Sequence, residues 1–121
     1  HKFGLMSSDV VKAVKHKKLW TSSKLVGLSV HIGSQLLDLK ATGKAITIMG
    51  ELARSLPVNL EFLDVGGGLG IAYQESELKK VPAISDYMAL VAKSLNESYY
   101  RHFKTHPGTR VVFEPGRRIV A

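Results

Sequence analysis

Three short segments hold the residues best suited to chemistry. They are "HIGSQ" with His31 and Ser34, "FLDVGGGLGI" with Gly66, Gly67 and Gly68, and "EPGRR" with Glu114, Gly116 and Arg117. An imidazole such as His31 can serve as an acid or base, a metal ligand or a stacking platform. It can equally be a hydrogen-bonded core histidine. A metal is not expected, because His1, His16, His102 and His106 lie at the N-terminus or near helix ends. Ser34 follows His31 by three residues and can offer a hydroxyl to a phosphate. Consecutive glycines permit positive φ and aim several N–H groups at one point, which makes an anion cradle. A tight turn after a strand needs only one glycine, so three in a row point to ligand approach. A dinucleotide fingerprint begun at Gly66 would need glycine at Ile71, and no Gly-Lys-Ser/Thr follows for a nucleotide triphosphate loop. A carboxylate such as Glu114 at the end of a buried strand is costly unless paired. Its partner is either Arg117 or Arg118 in a structural ion pair, or a cationic ligand atom, with Arg117 aimed at an anionic one. Asp64, inside its strand, reads as a structural hydrogen-bonding residue.

These segments need elements to position them. Residues 24–30, 60–65 and 110–114 read as strands, the last two as apolar runs covered on both faces. Helical periodicity marks residues 8–18, 38–56 and 84–103. Ser8 is the expected N-cap of the first helix. Pro57 stops the second, and "HPG" at 106–108 stops the third. Helices alternating with strands argue for a parallel sheet with crossover helices. An open doubly wound sheet and part of a (β/α)8 barrel both satisfy this order. In either, the C-terminal strand ends share one face, where such folds place ligand sites. Each of the three chemical segments follows a strand, so all three converge there.

Composition sets the remaining bounds. The 121 residues are 45% hydrophobic with no cysteine, and mean hydropathy is +0.03. That suits one globular domain without disulfides or thiolate metal sites. No apolar run approaches the ~20 residues of a membrane helix, and no signal-peptide pattern follows His1. A cytoplasmic setting is the expectation, with no membrane partner. The net charge of +7 is uneven: residues 1–44 hold eight lysines against two acids, driven by "KAVKHKKLW" at 12–20. Such a patch can serve an anionic partner. No nucleic-acid motif accompanies it, so a solvated helix face is expected instead. Both ends read as cut from a longer protein.

Taken in order, "HIGSQ", "FLDVGGGLGI" and "EPGRRIVA" closely resemble the diaminopimelate decarboxylases, pyridoxal-phosphate enzymes of the alanine-racemase-like barrel class. The opening "KFGL" resembles the same family. The resemblance covers the chain as the central part of a (β/α)8 barrel domain. It implies a PLP-dependent amino-acid decarboxylase forming L-lysine and CO2 from meso-diaminopimelate, with ornithine, arginine or polyamine-precursor decarboxylases and a non-catalytic barrel as alternatives. By resemblance, His31 stacks on the cofactor ring, and Ser34 with Gly66, Gly67 and Gly68 holds the phosphate. Glu114 pairs with the pyridine nitrogen, and Gly116 and Arg117 lie by the phosphate, Arg117 also by the substrate. The family's cofactor-bearing lysine lies upstream of these residues, and its C-terminal β-domain downstream. Its active site is shared within a homodimer, so residues 1–121 alone are expected to be inactive.

Overall fold

The computed structural model describes residues 4–31, 39–67 and 82–116. Their elements are helix α1 (Ser7–Lys15), strand β1 (Gly27–Ser29), helix α2 (Leu39–Ser55), strand β2 (Phe62–Gly67), helix α3 (Ile84–Ser98) and strand β3 (Arg110–Glu114), with 3-10 turns at Lys17–Trp20 and Tyr100–His102. The strands form one parallel sheet in the order β1-β2-β3. Consecutive parallel strands, each reached through a helix, are what the sequence alternation requires.

Local chemistry moves some boundaries. α1 opens at Ser7, and its N-cap is Met6 with no side-chain bond, so Ser8 does not cap it. The Met6 carbonyl instead accepts from the Asp9 and Val10 amides. The first helix stops at Lys15 because His16 is extended, and Trp20 Nε1 ties the following turn back to the Ala13 carbonyl at 2.9 Å. Tyr99, at φ −133° and ψ −69°, ends α3 four residues before the expected Phe103 and leads into the second 3-10 turn. β1 is shorter than the strand expected over residues 24–30. Its ladder reaches one residue further through the Val30 amide, which donates to the Asp64 carbonyl at 2.9 Å.

Strand alternation divides the sheet into two faces. Leu28 and Val30, Leu63 and Val65, and Val111 and Phe113 belong to the core cluster shared with α2 and α3. The helices contribute Ile46, Met49 and Ala53 from α2, and Tyr87, Val91 and Leu95 from α3. By the same alternation the opposite face presents Gly27, Ser29 and His31; Phe62, Asp64 and Gly66; and Arg110, Val112 and Glu114. The β3 residues on that face are all exposed.

A buried polar knot sets the register at the other end of the sheet. The Thr109 hydroxyl, 2% exposed, donates to the Leu60 carbonyl at 2.9 Å. Its one proton is thereby used, so the Tyr99 hydroxyl donates to Thr109 Oγ1 at 2.7 Å. Tyr100 adds a bond to the Thr109 carbonyl at 2.6 Å. The entrances of β2 and β3 are thus locked together, and Phe62 sits opposite Arg110.

Candidate active site at the strand ends

With that register the strands run upward in step: Ser29 lies beside Asp64, and Asp64 beside Val112. Beyond this point β2 takes three residues to β3's two, so that Gly67, not Gly66, faces Glu114. This is a β-bulge, a device that bends a strand and re-aims the residues beyond it. Gly66 is the bulged residue, with φ +77°. That left-handed conformation favours glycine. A Cβ there would also strike the Val30 carbonyl oxygen and lie 3.4 Å from the His31 Cα. At Gly67 a Cβ would fall on the Glu114 carbonyl oxygen. Two of the three glycines therefore bring β1, β2 and β3 together at their C-terminal ends. The space that their missing side chains leave is filled by neighbouring backbone.

The bulge also aims an amide. The Gly66 N–H donates to Asp64 Oδ1 at 2.8 Å, so it is committed within the chain rather than turned outward. Ser29 Oγ donates to the other oxygen, Asp64 Oδ2, at 3.2 Å. Asp64 itself is buried, at 8% exposure. A buried carboxylate accepting on both oxygens meets the requirement for compensation of its charge.

Glu114 completes the group from β3. A side-chain hydrogen bond to Asp64, and then the Asp64 charge, hold its carboxyl above the usual carboxylate range; desolvation adds to this, and the His31 imidazole pulls the other way. Asp64 and Glu114 are thus neighbouring carboxyls on adjacent strands. Three strand ends thus contribute Ser29 and His31, Asp64 and Gly66, and Glu114 to one cluster. His31 and Glu114 are exposed and available to a ligand. Gly116 follows in the open, with nothing within 4 Å of where its Cβ would stand. Ser34, Gly68 and Arg117 lie outside the described residues.

Asp64 and Ser29 are the residues whose part in this cluster sequence reading missed. Period-two alternation was the available signal, since it puts Ser29 on the face of His31 and Asp64 on the face of Gly66. The cluster suits a ligand with a basic nitrogen in a flat ring. Glu114 offers a carboxyl to such a nitrogen, and His31 offers an aromatic face at the same edge.

The whole chain, residues 1–121, matches the family described as "Pyridoxal-dependent decarboxylase, pyridoxal binding domain". The chain belongs to this family. It is 34% identical to a diaminopimelate decarboxylase of Neisseria meningitidis over 99% of its own length and 27% of that protein. Against one from Campylobacter jejuni the identity is 33%, over 100% of the chain and 28% of the relative. The chain thus spans little more than a quarter of the curated relatives it matches. In structure it is similar to diaminopimelate decarboxylase from Helicobacter pylori complexed with L-lysine, with a TM-score of 0.82, 31% identity, and coverage of 100% of this chain and 28% of that one. An arginine decarboxylase of Paramecium bursaria Chlorella virus bound to agmatine superposes with a TM-score of 0.67 at 26% identity, over 96% of this chain and 29% of that one. The parallel sheet and its helices are accordingly a partial barrel of the decarboxylase type.

Proposed function

We propose that residues 1–121 form one wall of the cofactor site of a decarboxylase that uses pyridoxal phosphate to convert meso-diaminopimelate to L-lysine and CO2. The observation that carries this reading is Glu114. Its carboxyl stands exposed at the open end of β3, on the sheet face that also carries His31 and Asp64. When bound, pyridoxal phosphate supplies an electron sink for the pair of electrons left behind as CO2 departs.

The chain's own residues supply position and charge. Glu114 presents its carboxyl to the pyridine nitrogen, and an adjacent negative charge favours the protonated ring. His31 covers one ring face and leaves the other for the substrate. Ser34, Gly68 and Arg117, with Gly67 and Gly116, take the phosphate end, where donors fixed in advance hold a dianion without rearranging. Arg117 also reaches the substrate. Gly66 contributes differently: it shapes the bulge, and its amide steadies Asp64.

The choice of substrate is supported by likeness. Both the identity and the structural agreement are higher for the diaminopimelate enzyme from Helicobacter pylori than for the viral arginine enzyme. A homodimer in a cytoplasmic setting accompanies this reading. The test is reconstitution of the full-length protein with pyridoxal phosphate. A visible absorption band that borohydride bleaches, together with L-lysine formed from meso-diaminopimelate, is expected. A protein that takes up the cofactor and releases no CO2 from any diamino acid would make it a non-catalytic barrel.

A further inference from the structure

Asp64 does more in this structure than the cofactor reading requires. It is buried at the middle of the sheet, while the group that meets the ring, Glu114, is exposed one strand away. Both Asp64 oxygens are engaged. Ser29 Oγ holds Oδ2 from β1, and the Gly66 amide holds Oδ1 from the bulge. The bulge that frees this amide is the same one that brings Gly67 opposite Glu114. One irregularity in β2 therefore fixes the Asp64 carboxylate and sets the place of Glu114 against it.

Resting on the cofactor reading above, we propose that Asp64 is a positioning residue for Glu114: anchored by Ser29 and the Gly66 amide, its carboxyl stands on the same face one strand away and sets the charge and direction with which Glu114 meets the ring nitrogen. With a pyridoxal ring held at Glu114, the Asp64 charge would add to that of Glu114 in favouring the protonated ring nitrogen. Among the described residues His31, beyond β1, is the titratable group at the same end of this face, and Tyr87 lies on α3 across the sheet from Asp64. Burial first, and the Asp64 charge second, push the Tyr87 phenol up, so it stays neutral through this range.

The test uses the full-length protein loaded with pyridoxal phosphate carrying nitrogen-15 in its ring. The nitrogen chemical shift, followed against pH, reports ring protonation directly and does not depend on turnover. Wild type is expected to keep the ring proton through neutral pH. In Asp64→Asn the loss of that proton should move down by about one pH unit or more, the scale on which one nearby charge acts. Ser29→Ala removes one anchor and keeps the charge; a smaller shift in the same direction is expected. It serves as the test should Asp64→Asn not fold. A titration that coincides with wild type in whichever variant folds would overturn the proposal. A wild-type ring that takes up the cofactor but stays unprotonated at neutral pH would overturn the Glu114 pairing beneath it. The two failures are therefore distinguishable.

Discussion

Replacing Gly66 by alanine tests how the strand ends are brought together. Two separate effects act at this position. The backbone has φ +77°, and a left-handed conformation costs a residue with a Cβ about 1–2 kcal/mol. The new methyl would also strike the Val30 carbonyl oxygen, and forcing an extra carbon into a packed site costs about 1–3 kcal/mol. Together they predict a loss of about 2–5 kcal/mol. Two other glycines separate these contributions. Gly108 has φ +81° but nothing within 4 Å of its Cβ direction, so Gly108→Ala carries the backbone cost alone. Gly116 has open space and no left-handed φ, so Gly116→Ala should be near neutral for stability. Alanine also restricts the unfolded chain by about 0.4–1 kcal/mol, equally in all three, which cancels in the differences. Urea unfolding of the full-length variants, followed by circular dichroism, gives the order. Gly66→Ala should be the least stable, then Gly108→Ala, then Gly116→Ala. A Gly66→Ala protein no less stable than Gly108→Ala would refute the close approach of β1 to the bulge.

Other outcomes rest on the same geometry. Glu114→Gln in the full-length protein should still bind pyridoxal phosphate, with decarboxylation strongly slowed; single-turnover CO2 release checks this, and unchanged turnover would remove Glu114 from the chemistry. The raised Glu114 carboxyl also gives a signed pH dependence in the cofactor-free protein. The folded state binds this proton more tightly than the unfolded chain, so the contribution is full below about pH 4.3, the ordinary glutamate value. It fades as pH rises through the higher folded value. Melting temperatures should show this decline in wild type and lack that component in Glu114→Gln. Thr109→Val keeps the shape but leaves the Leu60 carbonyl and Tyr99 hydroxyl without their partner, a loss of about 1–3 kcal/mol that urea unfolding would register.

The alternation of apolar runs and helical stripes made the three parallel strands legible, because a short β2 covered on both faces is built mostly from apolar residues such as Phe62, Leu63 and Val65. Placing His31, the glycine run and Glu114 at one edge came from parallel direction alone. The packing role of the glycines did not. A bare backbone at Gly66 and Gly67 suggested ligand approach, and it also admits the Val30 and Glu114 carbonyls on the Cβ side. Seeing this needs the strand register and the extra residue in β2, neither of which is encoded within ten residues of chain. The same is true of Asp64. Its partners Ser29 and Glu114 are 35 and 50 positions away, on other strands, and only the sheet brings them together. Helix ends depended on local competition. Met6 caps α1 through its carbonyl although two serines come after it, and Tyr99 breaks α3 where the apolar pattern runs on.

Central to all of this is the assignment of the wall to a decarboxylase acting on meso-diaminopimelate. The most direct measurement is CO2 release by the full-length protein, reconstituted with pyridoxal phosphate, from carboxyl-labelled meso-diaminopimelate, ornithine and arginine compared by kcat/KM. Release from meso-diaminopimelate should be fastest. Faster release from ornithine or arginine would contradict it.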